Sequence, residues 1–457
     1  MKVSTQSQVQ KTVQLQQTLK ILKFIRIVQY FAILYFAIVH AVITGTYLVS
    51  KVIFYGSLQR AYLNSIKIAV CISVILIQML VVRRYKTVKI IQAQIIFNLL
   101  FIILLTLDLV YFLQQFRDID YGPLTIINGN QTQIHWYTKK RSSSMVTVDD
   151  TIINDDSKSN FHNVLINQTN FSFKVSNISA LTYNYSLPSS ISKFVVMTDI
   201  HSNGHYIEQM SSDYDFALLC GDYSYGGLPH EFSKTFRKSH NKPLILAAGN
   251  HDSLGQIDRL ITRPTNFYQK IGDNGFYFIY VLNTDLVYHS HLNHSRTDAA
   301  FTFLNENLYL SNNDKNVFIV SHQAVYSTGD FGSIKYFTEK MEEFMNINTN
   351  KRIRAVFSGH DHVFNAFRRL DTLYFVNGAG GGPLDNVKSQ GARSWSGEEL
   401  KGPMPENGDR EMGYQYHLNS YRKYTRTEVG IMAGKIEYTV RDLDSGKVLN
   451  VYEQITE

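Results

Sequence analysis

The sequence predicts an α/β fold, two packed β-sheets with helices on their outer faces (an αββα sandwich), preceded by an N-terminal helical transmembrane region. Three observations carry this expectation. From about residue 192, short β-prone apolar runs alternate with polar segments that suit helices, the pattern of two sheets covered by helices in one domain. Five of the runs, FVVMT, FALLC, LILAA, VFIV and IRAVFS, lead directly into short polar motifs: DIH at 199–201, GDYSY at 221–225, GNHD at 249–252, SHQ at 321–323 and GHDH at 359–362. Ahead of Asp108 there is no acidic residue at all, and long stretches carry no charge.

Taken in order, residues 1–26 are polar and basic, with Lys2, Lys11, Lys20, Lys23 and Arg26, and read as a cytosolic N-terminus. Residues 27–50 then hold no charge over 24 positions, enough to cross a hydrocarbon core of about 30 Å as a helix and too long for the core of a cleaved signal peptide. A second span is expected at 66–82, its uncharged part (68–82) shorter and lying between Lys67 and Arg83, and a third at 90–116, with Asp108 its single carboxylate. Three crossings put the basic N-terminus and the loop RRYKTVK (83–89) on the same side, as the positive-inside rule prefers, and place everything after Phe116 outside the cytosol. Two crossings would turn that loop outward.

Residues 117–190, rich in Asn, Ser and Thr, read as a polar stem with some strand content, for instance NFSFKVS at 170–176. Six Asn-x-Ser/Thr acceptor sequences, at Asn130, Asn167, Asn170, Asn177, Asn184 and Asn293, all follow residue 116. They match a glycosylated segment in the secretory or endolysosomal lumen or outside the cell. The alternative is a mitochondrial membrane, since a basic, acid-free N-terminus also features in mitochondrial targeting; here it is rich in Lys rather than Arg and runs straight into a span.

Residues 191–457 read as the catalytic domain. Helices are expected at 255–263 and 327–345, and hairpin turns at MAGK and DSGK near the C-terminus. The overall charge of +7 averages two regions: residues 1–107 hold twelve Lys or Arg and no acid, and the remainder 33 basic and 38 acidic residues. A basic nucleic-acid surface on the folded domain is therefore not supported; the partner this charge distribution implies is a lipid bilayer. The two cysteines, Cys71 and Cys220, supply neither a disulfide framework nor a thiolate zinc site. Cys220 reads as a small buried strand residue.

The polar motifs carry the chemistry. GNHD sets an amide oxygen, an imidazole and a carboxylate on one tight loop, and ligands at the carboxyl ends of neighbouring strands converge in space however far apart they lie in sequence. Carboxylates, imidazoles and an amide oxygen suit borderline to hard ions such as zinc, manganese or iron. Two ions about 3.5–4 Å apart can clamp a phosphate and share a hydroxide. A single carboxylate bridging both would hold that spacing, and Asp222 is the candidate. His201, His251, His322, His360 and His362 all lie in these motifs.

The ordered series DxH, GD, GNHD, H and GHxH resembles the calcineurin-like metallophosphoesterases, over roughly residues 192–455. GDYSY and the later GAGGG (378–382) are similar to the purple, or tartrate-resistant, acid phosphatase branch. The resemblance implies that Asp199, His201, Asp222 and His362 bind a first metal, with Asp222 bridging, and that Asn250, His322 and His360 complete a second. It further implies that His251 stabilises phosphate charge and protonates the leaving oxygen, with Asp252 orienting its imidazole.

One departure concerns Tyr225. In purple acid phosphatases a tyrosinate at that place binds ferric iron and a glycine replaces the DxH histidine, whereas this chain has both His201 and Tyr225. His201 is taken as the ligand and Tyr225 as a residue behind the ligands or in the substrate pocket, which leaves iron open.

The expected activity is hydrolysis of phosphate monoesters by attack of a metal-bound hydroxide. The alternatives are a phosphodiesterase acting on lipid-linked or nucleotide substrates, and a non-catalytic receptor or complex subunit that retains the fold. The glycine run 378–382 is expected to let backbone pass close to the metal site rather than to cradle phosphate.

Overall fold

The computed structural model of this chain describes residues 120–456 apart from several loop segments, the longest lying within 253–294 and 402–413, together with six positions between 14 and 23. The chain divides into two compact units, Met1–Arg117 and Asp118–Glu457. The expected spans at 27–50, 66–82 and 90–116 and the expected helix at 255–263 lie outside the described residues. Among the described residues, no helix is long and apolar enough to cross a membrane.

The second unit begins with β1 (Tyr121–Asn128), β2 (Gln131–Val148), β3 (Thr151–Ile166), β4 (Asn170–Val175) and β5 (Tyr183–Ser186). Then come β6 (Lys193–Met197), helix α1 (His205–Glu208), β7 (Phe216–Leu219), α2 (Pro229–Thr235) and β8 (Leu244–Leu246). A second run follows with β9 (Tyr268–Ile271), β10 (Tyr277–Leu282), α3 (Ser295–Tyr309), β11 (Asn316–Ser321), α4 (Lys335–Ile347), β12 (Ile353–Ser358), β13 (Phe364–Arg369) and β14 (Thr372–Asn377). A small pair, β15 (Val387–Ser389) with β16 (Arg393–Trp395), precedes β17 (Glu399–Lys401) and β18 (His417–Tyr421). The chain closes with β19 (Thr425–Met432), β20 (Lys435–Asp442) and β21 (Val448–Ile455).

These strands form two large mixed sheets. The first has eleven, in the order β21-β20-β19-β6-β7-β8-β1-β2-β4-β5, with β3 also on β2; the second has eight, in the order β17-β18-β13-β14-β12-β11-β10-β9. Alternation along the strands decides which side chains meet. Phe194, Phe216, Leu218 and Ile245 of the first sheet face Phe318, Val320, Phe357 and Phe375 of the second, all at most 1% exposed. Phe194 meets Phe318 edge-on at 5.4 Å. Each such side chain contributes about 1.5–3 kcal/mol by leaving water.

The outer faces carry the helices. Ile207 of α1 and Phe232 of α2 pack with Leu219 and Leu244 of the first sheet. Leu304 and Leu308 of α3 and Phe337 and Met341 of α4 cover Val317, Ile319 and Val356 of the second. The expected helix at 327–345 is realised only as α4, and 327–334 is loop. Both expected hairpins form, with Gly434 and Gly446 at φ of +73° and +69°.

The segment read as a stem is a difference from expectation. It belongs to the same compact unit as the catalytic motifs, and β1 inserts into the first sheet, parallel to β8 through Ile126 and Leu244. Leu124 and Ile126 are buried with Met197 and Leu246, while Ile134, Trp136, Val146, Val148, Val164, Ile166, Phe171 and Phe173 form a core of their own. Apolar residues recur at every second position, and the intervening Asn, Ser, Thr and Lys face outward, which lowered the apparent hydrophobicity of real strands.

Candidate metal centre and active site

Strands β6, β7 and β8 run parallel, as do β10, β11, β12 and β14, so their carboxyl ends gather on one side of each sheet, where ligands collect in open α/β sheets. Asp199 and His201 follow β6, Asp222 follows β7, Asn250 and His251 follow β8, His322 follows β11, and His360 and His362 follow β12. The backbone is bent to aim them. Asp199, His201, Asp222 and His360 adopt φ of +54°, +48°, +53° and +75°, a left-handed conformation costing about 1–3 kcal/mol for a residue with a Cβ. Such strain persists only where the surroundings over-determine it.

Packing supplies that constraint. Gly221 takes φ of +109°, and a Cβ at Gly249 would run into the Asp222 carboxylate. A Cβ on Gly382 would stand 2.7 Å from His201 Cδ2. The glycine run thus passes its backbone directly beside the histidines, as expected from the sequence. Cys220 is fully buried, and its carbonyl accepts a hydrogen bond from His322.

The side chains fall into two groups that share Asp222. In the first, Asp199 Oδ1 lies 3.5 Å from His362 Nε2 and 3.9 Å from His201 Nε2, and the two Nε2 atoms are 2.9 Å apart. In the second, Asn250 Oδ1 lies 3.0 Å from His322 Nε2 and 2.9 Å from His360 Nδ1. Between them, Asp222 Oδ2 is 3.3 Å from His322 Nε2, 3.6 Å from His201 Nε2 and 3.8 Å from His251 Nε2. Three trios could each hold an ion: Asp199 with His201 and His362; Asp222 with His201 and His251; Asp199 with Asp222 and His322.

Hydrogen bonds behind the site fix which nitrogen points inward. His322 Nδ1 donates to the Cys220 carbonyl at 2.9 Å, His362 Nδ1 to Pro383 at 2.7 Å and His251 Nδ1 to Tyr225 at 2.8 Å. A carbonyl oxygen only accepts, so the hydrogen sits on Nδ1 and each Nε2 keeps its lone pair for the cluster. Asp199 is held by one oxygen: Oδ2 accepts from Thr198 Oγ1 at 2.9 Å and from the His360 N–H at 3.0 Å. Its Oδ1 and His201 Nδ1 are buried and find no hydrogen-bond partner among the described residues.

That arrangement is costly without a cation. Burial, reinforced by the negative charge of Asp222 and opposed by His322 and His362, raises Asp199 to about 7. Burial works against charging His322, yet the facing Asp222 carboxylate outweighs it and lifts the imidazole to about 10. Burial and then the neighbouring imidazoles push His201 and His360 down. An orphaned buried carboxylate oxygen, two buried acids and Nε2-directed imidazoles fit a pair of metal ions.

The outer residues differ from the sequence reading in one respect. Asp252 does not serve His251 as expected. Its Oδ2 accepts from the N–H groups of Asp222 at 2.7 Å and Gly249 at 3.0 Å, and Oδ1 from Tyr223 at 3.0 Å, while the Tyr225 carbonyl orients His251. Asp252 thus ties two ligand loops together. The physical reason is the tight turn of GNHD, closed by the Asp252 N–H on the Gly249 carbonyl at 3.2 Å, which brings the Asp252 carboxylate onto backbone N–H groups of its own loop and of the β7 loop. The ring of Tyr225 stacks on the His201 imidazole with centroids 4.3 Å apart.

Sequence reasoning passed over a supporting set. Asp385 Oδ2 accepts from the His362 N–H, and Arg422 donates to the carbonyls of Leu384 and Asp385, bracing the loop that carries Pro383. Asp361, lying inside GHDH between two candidate ligands, was visible as a motif position but suggested no role. The site opens where His251 and His362 retain 21% and 14% of their side-chain exposure.

Residues 192–364 match the family model described as calcineurin-like phosphoesterase. The fold is similar to that of the purple acid phosphatase PPD1 from yellow lupin (Lupinus luteus) seeds, with 12% identity, 74% of each chain covered and a TM-score of 0.52. A further similar structure is PhoD, at 8% identity over 75% of this chain and 90% of that one, with a TM-score of 0.48. No curated protein sequence matches this chain significantly.

Proposed function

We propose, from the match of residues 192–364 to the calcineurin-like phosphoesterase model, that the protein is a dinuclear-metal phosphohydrolase acting on phosphate monoesters, anchored in a membrane with its catalytic unit outside the cytosol. The observation that carries the catalytic part is Asp222, whose Oδ2 faces three imidazoles within 3.8 Å from between two ligand groups. In this reading Asp199, His201 and His362 hold one ion, Asn250, His322 and His360 the other, and Asp222 both. When bound, such ions supply electrophilic stabilisation to phosphate oxygens and acidify a water nucleophile; zinc, manganese and iron all suit these donors.

The remaining work falls to the chain itself. His251, its Nδ1–H fixed on the Tyr225 carbonyl, presents Nε2 at the open side of the site. There Nε2 takes up a second proton, disfavoured by burial and favoured by the Asp222 carboxylate it faces, and passes it to the departing alcohol oxygen, an assistance worth about 10²–10⁴ in rate. Asp252 and Asp385 keep the ligand loops in register, and burial of Asp199, Asp222 and His322 excludes bulk water from the ligand floor.

The anchoring part rests on the apolar runs at 27–50, 66–82 and 90–116, which carry only Lys67 and Asp108 as charged residues, and the lumenal or extracellular side on the acceptor sequences. Asn167, Asn170 and Asn184 are exposed on the unit that carries the site. A mobility shift after glycosidase treatment is expected; a glycan-free protein recovered with mitochondria would overturn that placement.

The catalytic test uses the full chain in detergent, loaded with zinc, manganese or iron. Hydrolysis of an aryl phosphate monoester faster than its diester, lost in Asp222→Asn together with about half or more of the bound metal, is the expected result. Faster cleavage of the diester would make it a phosphodiesterase, and a folded, metal-loaded chain that cleaves neither would make it a binding subunit.

A further inference from the structure

Among the histidines whose Nε2 points into the ligand cluster, His201 is held differently. A metal-binding imidazole ordinarily donates its other N–H to an outer acceptor, which fixes the ring. His322, His362 and His251 each donate Nδ1–H to a backbone carbonyl, whereas His201 Nδ1 is buried and meets no hydrogen-bond partner among the described residues. Its Nε2 is nonetheless aimed as closely as the others, 2.9 Å from His362 Nε2 and 3.6 Å from Asp222 Oδ2. Ring packing takes the place of the outer acceptor. The Tyr225 ring lies 4.3 Å from the imidazole, centroid to centroid, with 25° between the planes. Rings so close and so nearly parallel can only meet face to face, because side by side their edge atoms would overlap. The His251 ring stands nearly perpendicular to His201 at 4.9 Å, and Gly382 brings backbone against its Cδ2 edge.

We propose that Tyr225 is a positioning residue for the ion held by Asp199, His201 and His362: its ring, stacked on His201, fixes that imidazole where no hydrogen bond does, and its phenol oxygen is not a ligand. The inference rests on the metal-centre part of the phosphoesterase reading. The Nε2 lone pair lies in the plane of the imidazole and points into the cluster, while the stacked phenol occupies a separate layer over the ring face. The chain thus has a use for both residues, His201 as the donor and Tyr225 as the surface that aims it. Because the Tyr225 carbonyl orients His251, one residue sets a ligand through its ring and the proton-carrying histidine through its backbone.

Metal binding tests this apart from turnover. The full chain in detergent is titrated with zinc against a chromophoric chelator, and is loaded separately with ferric iron for visible spectroscopy. A ring stack is worth about two- to twelvefold in affinity, so Tyr225→Ala should weaken one of the two zinc sites by about that factor. Tyr225→Phe, which keeps the ring, should bind both ions as the wild type does. The iron-loaded wild type and Tyr225→Phe should give the same visible spectrum, without a phenolate-to-iron charge-transfer band. Thermal unfolding separates aiming from mere packing: the loss in Tyr225→Ala should be larger with metal bound than without. A phenolate band that vanishes in Tyr225→Phe, zinc affinity unchanged in Tyr225→Ala, or an equal loss of thermal stability with and without metal each overturns the inference and leaves the metal centre standing. A wild-type chain that binds neither zinc nor iron and cleaves no ester removes the phosphoesterase reading, and the positioning role with it.

Discussion

Replacing Asp252 by Asn separates two accounts of the GNHD loop. If Asp252 oriented His251, the substitution would leave stability and metal content intact and slow cleavage, most for poor leaving groups. The structure predicts otherwise. The carboxylate satisfies the N–H groups of Asp222, Gly249 and Tyr223 in a fully buried setting. An amide can keep its oxygen on Asp222 and Gly249 but then turns its own NH₂ toward the Tyr223 N–H. One buried donor unsatisfied costs about 1–3 kcal/mol, and Ala, which orphans all three, about 3 kcal/mol or more. Because Asp222 carries one of those N–H groups, the site should loosen with the fold. Thermal unfolding and metal analysis are the assays: Asp252→Asn should unfold at lower temperature and bind less metal, with Asp252→Ala worse. Unchanged unfolding and full metal content, with a rate loss that grows with leaving-group pKa, would refute the argument.

Other consequences follow from the same contacts. His135 is buried neutral, Nδ1 donating to Asn163 Oδ1 and Nε2 accepting from Tyr121, and burial lowers it from 6.5 to about 4. A depressed folded pKa means stability that is complete above pH 6.5 and falls as the pH drops toward 4. About 3 kcal/mol is lost in that window, and an unfolding-versus-pH series should show a shallower slope for His135→Gln. Gly249→Ala should cost about 1–3 kcal/mol through overpacking against Asp222 and lower metal content, read by elemental analysis. A fragment starting at residue 187 lacks β1 to β5 and bares β8, so gel filtration should find it aggregated, whereas one starting at 118 should run as a discrete species.

What the sequence revealed of the site, and what it hid, has a physical division. Metal-type donors are chemically demanding: Asp199, His201, Asp222, Asn250, His322, His360 and His362 sit in short motifs directly after apolar runs, and strand ends are where the chain can aim them. The structure brings all seven within one cluster. Roles assigned by adjacency were weaker. Asp252 follows His251 in sequence, but its carboxylate is taken up by backbone N–H groups. The loop at 327–334 fell inside a stretch read as helix, because what holds it is Asp361, which accepts from the Phe331 N–H and lies 30 residues later.

The strands between 121 and 186 show the same limit at the level of the fold. Phe171, Phe173 and Val175 alternate as a half-buried strand should, yet Asn, Ser and Lys between them resemble loop composition. Whether such a segment becomes stem or sheet depends on an available edge, and here it is β8, whose Leu244 pairs with Ile126. That pairing is long-range, so no window of sequence contains it. Its consequence for function is mechanical: β8 leads into Gly249, Asn250 and His251, so the strand that looked like a tether supports the loop on which the second ligand group depends. Weakening β1, for instance through Ile126→Asp, should therefore loosen Asn250 and lower metal content before it alters any residue of the site.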